Sequence, residues 1–277
     1  MRELRKVAVV LLCVVVAGVT ACGSGNTGPS AGEVTIFLSD APVSGVDSAT
    51  VWISNVYLIG GSDSSGSRYT ISNSMRAFNL LNLQSGVTAA LGTSSIPVGD
   101  YSQLRLVVDS ARIVLDSGLT FADGSATKAV KVPSGTQSGI KVDFGGSVHV
   151  APGQTILVVD FDVSRNFVFT GPPSAPTGVL FTPLLHATVQ NVAGSIAGTA
   201  SPAAAKGRLF AILSTTSGPD TVTTALADSI TGAYKLWYLP PGSYTVADTA
   251  AGYVAAKQTV TVGPGQNITG VNFTLTK

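Results

Sequence analysis

From residue 33 to the end of the chain, apolar residues come in short alternating runs bounded by glycine, proline, aspartate or serine. "EVTIFLSD" opens the series, and further runs rich in Val, Ile, Leu, Thr and Tyr follow. A period of two places successive side chains on opposite faces of an extended backbone, so each run predicts a strand. Strands are expected over 33–39, 49–59, 102–108, 111–115, 128–132, 154–163 and 179–190, and then over 194–199, 208–214, 220–227, 233–238, 243–248, 258–262 and 270–276. Almost no segment keeps a helical period; "FNLLNLQSGVTAALG" is the best exception, with room for one or two turns around residues 79 to 91. Many short strands with turn signals between them predict an all-β protein made of sandwiches.

The first 32 residues follow a different pattern. "MRELRK" is basic, and "VAVVLLCVVVAGV" is an apolar core shorter than the ~20 residues of a spanning helix, which together describe a signal peptide over residues 1–21. The next stretch, "ACGSGNTGPSAG" (21–32), contains both G-x-G-x-x-G and G-x-S-x-G. A dinucleotide loop or a nucleophile elbow needs a following helix, and here a Gly/Ser/Pro-rich stretch leads into a strand. Both matches are therefore chance. "VTAC" resembles the lipobox of bacterial lipoproteins, which makes Cys22 the lipidated first residue of the mature chain and residues 22–32 a flexible linker.

Removing 21 of 277 residues leaves 256, enough for one large or two ordinary domains. Cys13 leaves with the signal peptide and Cys22 carries lipid, so no thiol remains for a disulfide, a metal or a nucleophile. The mature side chains carry 13 basic against 14 acidic groups, a net charge of −1, with no basic stripe to neutralise phosphates; nucleic acid is excluded as a partner. Charged residues make up only 11 % of the chain, which gives a hydroxylated rather than an ionic surface.

The small residues of "NVAGSIAGTASPAAAKG" (191–207) read as a flexible boundary and an early target for proteases. One device occurs on each side of it. "SIPVGDYSQLRLVV" and "YLPPGSYTVADTA" both place a proline–glycine turn ahead of a tyrosine, Tyr101 or Tyr244, that starts the next strand and is positioned to pack over the turn. The expected organisation is a larger sandwich over 33–191 and a smaller one over 192–277.

Two resemblances sharpen this. "GSIAGTA" (194–200), "DSITGAYKLWYLPPGSYTVADTAAGY" (228–253) and "VTVGPGQNITGVNFTL" (260–275) resemble the carboxypeptidase regulatory-like family, which implies a small transthyretin-like, Ig-like accessory sandwich with no catalytic residues. "VTIFLSDAPV" (34–43), "FNLLNLQSG" (78–86), "IPVGDYSQLRLVVDSARIVL" (96–115), "KVPSGTQSGIKV" (131–142) and "ILVVDFDVSRNFV" (156–168) resemble domain-of-unknown-function family 4382 of bacterial lipoproteins. That resemblance implies a β-sandwich in the cell envelope and brings no activity with it.

Three features carry candidate chemistry. His149 and His186 lie in strand-like runs without a second histidine or an acidic partner at ligand spacing, and read as ordinary strand or surface residues. In "YKLWYLPPG", alternation puts Tyr234, Leu236 and Tyr238 on one face and Lys235 with Trp237 on the other; an outward Trp237 either binds a ligand or covers the seam between domains. In "VVDFDVS", Asp160 and Asp162 lie two apart on a predicted strand, facing away from a buried Leu157, Val159, Phe161 and Val163. Such a pair is compensated by calcium, with Asp40 or Asp143 completing the site, or by Arg165, Arg105 or Arg112.

No catalytic constellation stands out, so the expected function is non-enzymatic: a lipid-anchored envelope protein, in the outer membrane where the cell has one, binding a glycan, an ion or an envelope protein. The competing expectation is an envelope hydrolase whose triad assembles only in the fold.

Overall fold

A computed structural model describes residues 31–60, 66–132, 138–216 and 218–277. The expected signal peptide, Cys22 and the expected linker as far as residue 30 lie outside the described residues. The remainder is all-β, as expected. Thirteen strands come first: β1 (Ala31–Ser39), β2 (Val46–Gly60), β3 (Arg68–Ser72), β4 (Arg76–Asn79), β5 (Ala89–Pro97), β6 (Gly99–Leu115), β7 (Thr127–Val130), β8 (Ile140–Asp143), β9 (Val148–Val150), β10 (Gly153–Asp160), β11 (Phe167–Thr170), β12 (Gly178–Phe181) and β13 (Leu185–Val189). Eight follow: β14 (Gly194–Ser201), β15 (Arg208–Thr215), β16 (Gly218–Leu226), β17 (Ala233–Leu239), β18 (Gly242–Thr249), β19 (Ala256–Val262), β20 (Asn267–Ile268) and β21 (Phe273–Thr274).

Eleven strands of the first group form one sheet in the order β3-β2-β6-β8-β13-β10-β1-β5, with β4, β7 and β9 pairing on β2 and β6, while β11 and β12 pair only with each other. Its two longest strands are bent. In β6 the inward set Leu104, Leu106 and Val108 gives way to Ala111, Ile113 and Leu115, and β2 shifts from Ala49, Val51 and Ile53 to Val56 and Leu58. Pairing between the two strands slips at the same points, and such bulges bend a strand and increase its twist. The sheet thereby curls until its edges meet: a Cβ at Gly92 of β5 would lie 2.8 Å from the Ser72 side chain of β3. One apolar core fills the enclosed space. The two strands expected over 102–108 and 111–115 are thus a single bulged strand.

The second group packs two sheets, β17-β14-β20 with β21 also on β14, and β16-β15-β18-β19, around a separate core that includes Ile196, Leu209, Leu236, Tyr244 and Val246. Two sequence expectations fail at the junction. Residues 191–207 are not a loose connector: only Gln190–Ala193 separate β13 from β14, and β14 is the strand on which β17, β20 and β21 all pair. Its small residues serve close approach, since a Cβ at Gly198 would lie 1.8 Å from the Val271 carbonyl oxygen. The strand expected over 179–190 is divided into β12 and β13 around Pro183, which has no N–H to give a ladder. Around residue 80 the helical expectation is met by a single 3₁₀ turn, Leu80–Leu83, whose Leu81 N–H donates to the Asn79 side chain at 3.3 Å.

Candidate functional site

Strand register gathers residues that are distant in sequence. Asp143 on β8 pairs with His186 on β13, His186 with Asp160 on β10, and Asp160 with Ser39 on β1. Directly paired residues share a face, so these four form a polar row across one side of the sheet. Leu157 and Val159 point the other way, into the core. Strand β16 of the second sandwich lies over the row. His186 Nε2 stands 3.5 Å from Asp220 Oδ2, and Arg165 donates to the Thr221 carbonyl oxygen.

This placement corrects the reading of Asp160 and Asp162. Strand β10 ends at Asp160, and Asp162 adopts a left-handed conformation (φ 43°) that leads into a single helical turn, α1 (Val163–Asn166). The two carboxylates therefore do not share a strand face, and they are not on the solvent side. Asp162 is 3 % exposed and accepts from the Ser164 hydroxyl at 2.6 Å, while buried Asp40 accepts from Val163 N–H at 2.8 Å. Arg165 is the guanidinium beside the pair; Arg105 instead bonds Gln103 and the Gly139 carbonyl, and Arg112 lies over the Trp52 ring.

Burial dominates the electrostatics. It pushes Asp160 up to about 7, with the Asp162 charge adding to the effect and the Thr223 hydroxyl and Arg165 opposing it. It raises Asp40 well above the usual carboxylate range and raises Asp162 as well. His186 is shifted down, first by burial, against the pull of Asp220. Six of the ten buried side-chain polar atoms that lack a hydrogen-bond partner among the described residues are here: Asp40 Oδ2, Gln84 Nε2, Asp160 Oδ2, Asp162 Oδ2, His186 Nε2 and Thr224 Oγ1. Buried polar atoms are ordinarily paired, so this concentration marks a place where a proton, a water or a ligand is due.

Beside the row a cleft of about 500 Å³ opens between the sandwiches, with Ser39, Asp40 and Gln84 on one wall and Thr223, Lys235 and Tyr238 on the other. Trp237 is part of this seam. Its ring lies against Gly86, the Lys235 ammonium stands 3.5 Å from the ring centroid, and Tyr238 donates to the Gly86 carbonyl oxygen at 2.8 Å. Of the face expected to be buried, Tyr234 and Leu236 are; Tyr238 has a left-handed backbone (φ 53°) and reaches across to the first sandwich instead. The other histidine, His149, pairs with Asp100 at 2.8 Å on the exposed edge of the sheet. Asp220 and Gln84 escaped the sequence reading, and Tyr238 entered it only as a core residue, because nothing in spacing links β16, the end of the 3₁₀ turn and β17.

A family model described as domain of unknown function (DUF4382) matches residues 31–175. No curated protein matches the chain. Among solved structures the chain is similar to the Bacillus anthracis TIE protein (14 % identity over 89 % of this chain and 51 % of that one, TM-score 0.25). It is similar also to BcpA, the major pilin subunit of Bacillus cereus (10 %, 90 % and 100 %, TM-score 0.23), and to the major pilin protein T-13 of Streptococcus pyogenes (10 %, 88 % and 97 %, TM-score 0.19). The chain spans about half the length of the TIE protein chain.

Proposed function

The chain belongs to the DUF4382 family, a domain of unknown function, and from that premise we propose that it is a non-catalytic, lipid-anchored protein of the cell envelope that binds a glycan between its two sandwiches. Cys22 carries the anchor, and the second sandwich is a carboxypeptidase regulatory-like accessory module that completes the binding cleft. The outer membrane is its location where the cell has one.

One observation carries the binding reading: the cleft draws hydroxyl, amide, ammonium and carboxylate groups from both sandwiches beside aromatic rings. An uncharged, hydroxyl-rich polymer offers donors and acceptors to such a mixed lining, whereas a strongly charged ligand would want walls of one sign. Gln84 is the leading contact, because its amide lines the cleft beside the buried Asp40 carboxylate. With Lys235 over its ring, Trp237 acts as a wall of the cleft rather than an open stacking surface.

The full chain, solubilised in detergent, is expected to be retained by a subset of envelope polysaccharides on an array. Gln84→Ala and Lys235→Ala should each weaken that retention by ~10-fold, the loss of one hydrogen bond to a buried or charged group. Failure of the wild type to bind any glycan, or equal binding by both variants, would remove the reading. The anchor is checked separately: Cys22→Ser is expected to abolish incorporation of a fatty-acid label, and equal label on both proteins would exclude lipidation at that sulfur.

A further inference from the structure

We propose that Asp143, His186 and Asp220 form a divalent transition-metal site, suited to zinc, that clamps the two sandwiches together. One ligand atom from each of the three lies within 4.8 Å of the other two. Two come from the first sandwich, where the parallel pairing of β8 with β13 sets Asp143 beside His186. The third, Asp220, comes from β16 of the second.

His186 carries the argument. Its residue is 9 % exposed, and its Nε2 has no hydrogen-bond partner although it faces the Asp220 carboxylate. The separation of 3.5 Å is long for a hydrogen bond. It is the right length for two ligands of one tetrahedral ion, because bonds of ~2.0–2.1 Å set ligand atoms ~3.3–3.4 Å apart. A deprotonated imidazole nitrogen and a carboxylate oxygen repel each other unless a cation or a proton lies between them.

The donor set selects the metal. An imidazole with two carboxylates favours zinc over calcium or magnesium, which take oxygen ligands. Asp143 is exposed, which gives an ion a way in, and its Oδ1 accepts from Gly145 N–H at 2.8 Å, which fixes the carboxylate with its second oxygen free. Asp160 and Asp162 lie close by, with the guanidinium groups of Arg165 and Arg208 beside them, so the two aspartate ligands themselves must neutralise the ion. Three protein ligands leave a fourth position for water.

Untagged full-length protein in detergent, stripped with a chelator and titrated calorimetrically with Zn²⁺, is expected to bind one ion per chain and to melt at a higher temperature when loaded. Asp143→Asn and Asp220→Asn keep size and shape, and each is expected to weaken binding by ~100-fold or more, since removing a ligand costs more than disturbing its hydrogen-bond partner. His149→Ala, at the exposed His–Asp pair, should leave the affinity unchanged. His186→Ala should abolish binding, with the melting curve of the metal-free variant establishing that it folds. Absence of saturable Zn²⁺ binding by the wild type overturns the proposal, as does wild-type affinity in the Asp143→Asn/Asp220→Asn double variant or loss of binding in His149→Ala.

Discussion

Tyr244→Ala is expected to destabilise the second sandwich by ~3–5 kcal/mol, and Tyr101→Ala to do the same to the first. Both rings are fully buried, and both hydroxyls bond back across the turn that precedes them, Tyr101 to the Pro97 carbonyl oxygen at 2.7 Å and Tyr244 to that of Pro240 at 2.6 Å. The spacing of four residues is the same in each sandwich. Truncation to alanine empties a ring-sized volume in the core and orphans the carbonyl. Against a domain stability of ~5–15 kcal/mol, that removes a large fraction of the total. Tyr→Phe keeps the ring and should cost only ~1–2 kcal/mol. Urea unfolding followed by circular dichroism separates the cases. Alanine variants as stable as the wild type would show that the tyrosines do not hold the turns.

Metal-free protein is expected to lose stability as the pH rises from 4 to 7. Asp160 releases its proton near 3.8 when unfolded and near 7 when folded, so the unfolded state binds fewer protons throughout that window. The contribution is fully present below the lower value and gone above the higher. Asp40 and Asp162 are raised for the same reason and add to the slope; His186, shifted down, opposes it as the one group of the row with the contrary sign. An asparagine at 160 has no charge to desolvate. Asp160→Asn should therefore flatten the profile and stabilise the protein at pH 8 by a few kcal/mol, the order of the burial cost that moves proton release at Asp160 from near 3.8 to about 7. Melting temperatures at pH 5 and pH 8, measured with chelator present, test this. An unchanged difference between the two pH values in the variant would show that Asp160 is not the group responsible.

How far the sequence reveals this molecule depends on the range of the interaction involved. Alternation is local, and it located the strands with rich apolar runs, including β1, β2, β10 and β15. It missed β5, "AALGTSSIP", an edge strand with little apolar surface to bury. The two proline–glycine–tyrosine turns were legible because all their parts lie within a few residues. Position 162 was not: only the backbone conformation there removes Asp162 from the strand, and no residue pattern announced it. Tyr238 failed in the same way. The row of Asp143, His186 and Asp160 is assembled by register between strands remote in sequence, and Asp220 is brought to it only by the packing of one sandwich on the other.

The way β14 is held has a mechanical consequence. As the first strand of its sandwich it runs parallel to β20 and β21, the last two, pairing Ser195 with Asn267, Ile196 with Ile268, Ala200 with Phe273 and Ser201 with Thr274. Tension applied between residue 194 and residue 274 would draw these parallel strands past one another lengthwise, loading their hydrogen bonds together in shear rather than peeling them apart in turn. A domain strung this way yields to force only when these bonds break together, so its resistance to pulling depends on the direction of the pull.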